Sequence, residues 1–206
     1  RLALLDFVQP KASTDRMNIF EPNENAKEEW LRLIGASGHQ EALAVEWNPD
    51  TLKKIGMGVL SLGSKTQCLP AAMQQVADVE ARLSQLRNDL GISRNAPADV
   101  LPRVLVVTEV EGRLLAPGRW IPDLLDRAAC FDPVHASSRE SFWLSERDLA
   151  AARLDHLIVL RGKRPTLKEV SFHESQIPDK WVSSGPSVFD AIFETASLIF
   201  GYPSSP

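Results

Sequence analysis

Gly118, Arg119 and Trp120 close a loop between a short apolar run, Arg103 to Val107, and a segment whose Pro122 suits the first turn of a helix. Passing from strand through loop into helix is how α/β proteins present a ligand surface. At such a junction Trp120 can stack its indole on a planar ligand, or it can pack over its own lobe and organise the loop. Arg119 and Arg113 flank the loop and can pair with a phosphate or carboxylate, although solvated charge is the commoner fate of such arginines. Glu109 and Glu111 belong to the same opening. Trp181 precedes the last helical pattern and is a second aromatic candidate, whereas Trp143 reads as core and Trp30 and Trp47 as structural or interface residues.

Other reactive types do not assemble. His39, His135, His156 and His173 show no paired metal spacing, and His173-Glu174 is an isolated dipeptide. Ser183-Ser184-Gly185-Pro186 is not a nucleophile elbow. Gly63-Ser64-Lys65-Thr66 ends as a phosphate loop ends, but Ser64 intrudes between glycine and lysine and Pro70 interrupts the helix that should follow. No acid, base and nucleophile gather in one motif, so the chain does not read as an enzyme.

The elements that would position these residues follow from patterning. The 206 residues suffice for one core or two small lobes, and a formal net charge of −4 argues against a nucleic-acid partner. No apolar run reaches the length of a membrane span. Cys68 and Cys130 lie far apart and read as two free thiols. No secretory signal is visible, and the chain opens at Arg1, as either a processed form or an expressed piece of a longer chain would.

Arg1 to Val8 reads as a strand and Gln9 to Asn25 as a loop. Glu24 to Ile34 reads as a helix stopped by Gly35, and Ala42 to Glu46 as a strand. Thr51 to Ile55 reads as a short helix closed by Gly56, then Val59 to Leu62 as a strand. Leu69 to Leu90 is the clearest helix: Leu69, Met73, Val76, Val79, Leu83, Leu86 and Leu90 recur at three and four on a rod of roughly 33 Å. Ser145 is a candidate N-cap with Asp148 three residues on, and Leu157 to Leu160 reads as a strand. Pro186 suits the start of a final helix that buries Val188, Ile192, Phe193, Ala196, Ile199 and Phe200.

In order along the chain, Asn48 to Leu62, Arg103 to Cys130, Ser141 to Leu160 and Trp181 to Pro203 resemble segments of the cobalamin- and siderophore-binding proteins of ABC importers. These form the helical-backbone class of periplasmic binding proteins. The resemblance implies an α/β fold of two small Rossmann-like lobes joined by one long helix. Residues 1–68 would form a shortened N-terminal lobe, 69–92 the connecting helix and 103–206 the C-terminal lobe. It further implies a solute-binding protein, located in the periplasm or otherwise outside the cytoplasm. Its ligand would be cobalamin or a related metal chelate touching Gly118, Arg119, Trp120 and Trp181, with no catalytic cofactor and with an ABC permease as partner.

The resemblance is weakest in the N-terminal lobe, where Asp6 to Pro10 replaces the expected serine-rich turn. It also weakens between Leu160 and Trp181, where a longer passage is compressed. A small lobe gives a shallow cleft. These departures imply the other reading, a ligand-free structural or interaction subunit of a larger, membrane-associated or organellar assembly.

Overall fold

Among the described residues five short strands, all after Pro102, build one mixed sheet in the order β3-β2-β1-β4-β5. A computed structural model describes residues 19–20, 23–93, 95–135, 138–162, 165 and 170–203. The strand expected at Arg1 to Val8 lies outside the described residues.

β1 (Val104–Val110) pairs in parallel with β4 (His156–Val159), which pairs in parallel with β5 (Ser171–Glu174) at one edge. On its other side β1 turns back into β2 (Arg113–Ala116) through Glu111 and Gly112, both with positive φ, the two-residue hairpin turn whose twist suits the strands. β3 (Phe142–Leu144) completes that side, antiparallel to β2. Because successive side chains alternate between faces, β1 and β4 feed two cores. Val104, Val106 and Ile158 enter a large helical core, and Leu105, Val107, Leu157 and Val159 enter a smaller one with Phe142, Leu149 and Leu154.

The smaller core is closed by α5 (Glu146–Ala151). Ser145 caps this helix as expected: its hydroxyl accepts from Asp148 N at 3.2 Å, and its own N–H donates to the Asp148 carboxylate at 2.8 Å.

The larger core is covered by α1 (Asn23–Leu33), α2 (Leu52–Lys65), α3 (Leu69–Asp89), α4 (Ile121–Arg127), the short α6 (Pro178–Val182) and α7 (Asp190–Phe200). Pro186 opens a 3₁₀ turn, Pro186–Phe189, just ahead of α7, and Gly201 ends α7 in the left-handed region. Trp30, Trp47 and Ile55 from before α3 share this core with Trp120, Trp181 and Ile192 from after it.

Two expected strands are helical. Ala42 to Glu46 overlaps a 3₁₀ turn, Gln40–Ala44, and Val59 to Leu62 lies inside α2. Gly56 does not stop α2, because it lacks the left-handed φ of a helix-ending glycine. Ile55, Val59 and Leu62 are fully buried on one helical face, so the β-branched run is a helix stripe. The other glycines of α2 are needed for close approach. A Cβ on Gly58 would sit 2.6 Å from the Trp47 ring, and one on Gly63 would sit 2.5 Å from the Ala72 Cβ of α3.

The described part of the N-terminal half therefore contributes helices and no strand. α3 lies where the connecting helix was expected, but its stripe is only half covered. Ala72, Leu83 and Leu86 are buried, whereas Leu69 is 39% and Met73 57% exposed.

Candidate ligand-facing site

The loop joining β2 to α4 is held by the chain that runs into β3. Gly118 N donates to Ser141 Oγ at 3.1 Å, and Arg119 N donates to the Arg139 carbonyl at 2.8 Å. The crossing is so close that a Cβ on Gly118 would collide with the Arg139 carbonyl. We expect Gly118→Ala to cost about 1–3 kcal/mol through overpacking, read from the urea midpoint. A change below a few tenths would contradict this geometry.

Arg119 adopts a positive φ of 53°, which a non-glycine residue occupies at a cost of order 1 kcal/mol. This conformation turns its guanidinium back over the rings of Phe20, at 4.8 Å, and Trp120, at 5.7 Å. Burial pulls the Arg119 pKa below the usual guanidinium range while the negative field of Asp50 opposes the shift; the group remains cationic. Asp50 binds Lys54 through Oδ2 at 2.7 Å, and its Oδ1 is buried without a hydrogen-bond partner among the described residues.

Asp123, in the first turn of α4, ties the loop to the helical half. One oxygen accepts from Leu52 N at 3.0 Å, capping α2, and the other pairs with Arg139 at 2.5 Å.

Trp120 is fully buried. Phe20 packs edge-on against it with centroids 4.8 Å apart, and its indole N–H donates to the Trp181 carbonyl at 3.0 Å. Trp181 is also fully buried, and its indole N–H donates to Glu194 Oε2 at 2.6 Å. Glu194 further accepts from Ser175 Oγ at 2.8 Å and Gln176 N at 2.6 Å. Trp30 and Trp47 converge on Ser184, donating to its carbonyl at 3.0 Å and its hydroxyl at 2.9 Å. The Ser183–Pro186 stretch thus anchors indoles.

The four expected contact residues, Gly118, Arg119, Trp120 and Trp181, do come together. However, neither indole faces an open cleft: Trp120 lies under Phe20 and Trp181 points to Glu194. Arg113 lies elsewhere, stacked on Trp143 at 4.3 Å. Phe20, Asp50 and Glu194 were not anticipated, since no local spacing links them to the loop.

Cys68 and Cys130 are free thiols, and burial pushes Cys130 up to about 12, so it is no nucleophile. Among the described residues no three His, Cys, Asp or Glu side chains cluster to hold a metal, and no helix is long and apolar enough to cross a membrane.

No family model matches the chain, and no curated protein does. Solved structures do match. An ABC transporter substrate-binding protein from Listeria monocytogenes EGD-e is 14% identical with a TM-score of 0.59, over 73% of this chain and 65% of that one. The periplasmic haem-binding protein RhuT from Roseiflexus sp. RS-1 is 18% identical with a TM-score of 0.58, over 82% and 74%. A periplasmic haem-binding protein from Pseudomonas aeruginosa is 15% identical with a TM-score of 0.56, over 88% and 91%. The fold is therefore mixed α/β and similar to that of periplasmic binding proteins. The chain spans just under two thirds of the length of the Listeria protein.

Proposed function

We propose that the chain is a solute-binding module of the ABC-importer type. It would take up a planar metal chelate carrying acidic groups, of the haem or cobalamin kind, outside the cytoplasm and pass it to a permease. One observation carries the ligand class. At the Gly118–Trp120 loop, a guanidinium that only stacks among the described residues lies in the field of a carboxylate with a buried, unpartnered oxygen. A ligand bearing a carboxylate or phosphate would use the Arg119 donors, and a hydroxyl or amide on it would satisfy Asp50 Oδ1. In the free chain Phe20 occupies the aromatic position against Trp120 and beneath Arg119 that a ligand ring would take. Binding would then displace Phe20.

The binding-protein fold of the solved neighbours supports this reading, and the haem named for two of them suggests the first ligand to try. Titration with haemin, cyanocobalamin and a ferric hydroxamate, followed by tryptophan fluorescence and calorimetry, is the test. Haemin or cyanocobalamin should quench the fluorescence and bind, and Arg119→Ala should weaken that ligand tenfold or more, about 1.4 kcal/mol. Failure of both, whether or not the hydroxamate binds, would overturn the proposal.

That failure would favour an interaction subunit, a reading supported by the complete burial of both loop-side indoles. Its contact surface would be the exposed apolar side of α2 and α3, where Met57 and Met73 are 59% and 57% exposed. Beside Met57 lies a cavity of about 280 Å³ lined by Trp30, Leu52, Ile55, Val76 and Phe189.

A further inference from the structure

The residues at the free edge of the sheet form a second arrangement, independent of the transport reading. His156 opens β4, and His173 lies on the edge strand β5 opposite Ile158. Ile158 enters the larger core and Phe172 packs against the smaller one, so the two-residue period puts both imidazoles on the larger-core face. They are diagonal neighbours, a spacing that ring side chains bridge. Nδ1 of His156 lies 3.0 Å from Nε2 of His173, with the rings 34° from coplanar.

From this geometry we propose that His156 and His173 form a two-imidazole site for a divalent transition ion, with Cu²⁺ held best. Without metal, the two facing nitrogens share one proton, one donating and the other accepting. An ion would replace that proton once each ring turns to aim its nitrogen lone pair at the metal. Metal–imidazole bonds of about 2.0 Å put two ligand nitrogens about 2.8 Å apart at a right angle and about 3.3 Å apart at a tetrahedral angle. The observed 3.0 Å is a hydrogen-bond separation, so it brings the two nitrogens within reach of one ion without fixing the angle at it; Cu²⁺ is the tightest of the divalent series.

Burial lowers the pKa of His156 against the opposing field of Asp155, and burial and then the neighbouring His156 lower that of His173. Asp155 accepts from Arg103 N at 2.8 Å, so it contributes negative field while its carboxylate is engaged. Water would complete the coordination sphere.

The test is titration of the full chain with Cu²⁺ at neutral pH, followed by pulsed electron paramagnetic resonance. One equivalent should bind with two equatorial imidazole nitrogens. His156→Ala and His173→Ala should each weaken binding at least tenfold and leave one imidazole, and His39→Ala should change neither. Near-UV circular dichroism of each variant checks that the sheet edge stays folded. Two results would overturn the proposal: a wild-type spectrum without two imidazoles, or equal Cu²⁺ affinity in the double variant.

Discussion

Trp120→Ala will lower the stability of this chain by about 4 kcal/mol, the scale of losing a large aromatic from a packed core. Trp120 is fully buried, and its ring meets Phe20 at the edge and Arg119 above. Its removal would open a void where the β2–α4 loop meets the segment before α1. It would also strip the Trp181 carbonyl of the indole donor it accepts from at 3.0 Å. Trp120→Phe keeps most of the volume and loses that bond, so it should cost only about 1–2 kcal/mol. Urea unfolding separates the two. Equal costs would mean that the hydrogen bond, and not the packing, holds the loop.

Glu194→Ala should be nearly as damaging, at about 3 kcal/mol. The Glu194 carboxylate collects three donors, Ser175 Oγ, Gln176 N and the Trp181 indole, on a residue only 9% exposed. Truncation leaves a buried indole N–H and a backbone N–H in search of partners, and unsatisfied buried groups cost about 1–3 kcal/mol each. Glu194→Gln has the same shape but one acceptor oxygen, and it should recover about half of the loss. If alanine and glutamine proved equally harmless by urea midpoint, solvent would be replacing the carboxylate and the site would be wetter than the structure shows.

These two effects indicate which parts of the molecule local pattern could reveal. α1, α3, β1, β4 and the Ser145 cap were legible because each is written in a short window, as a helical stripe, a β-branched run or a capping pair. α2 was not. A glycine after a short helical run ordinarily stops the helix, and the glycines of α2 make sense only once Trp47 and Ala72 are seen pressing against Gly58 and Gly63. Packing between distant segments overrode the local signal.

The site divides in the same way. Gly118, Arg119, Trp120 and Trp181 could be picked out by residue type, and they meet. Their burial could not be foreseen, because it depends on Phe20 and Glu194, which reach them from far along the chain. Aromatic type marks a residue as valuable to bury or to stack. It does not say whether the partner is a ligand or the protein itself.

The central claim is that the Arg119–Trp120 surface receives a planar chelate once Phe20 moves aside. Fluorine NMR of the chain labelled with 5-fluorotryptophan tests this directly, with the Trp120 signal assigned through Trp120→Phe. Haemin, whose iron is paramagnetic, should broaden the Trp120 resonance more than those of Trp30 and Trp47, and Phe20→Ala should make the effect appear at lower haemin concentration. A Trp120 resonance untouched at saturating haemin, in the wild type and in Phe20→Ala alike, would contradict it.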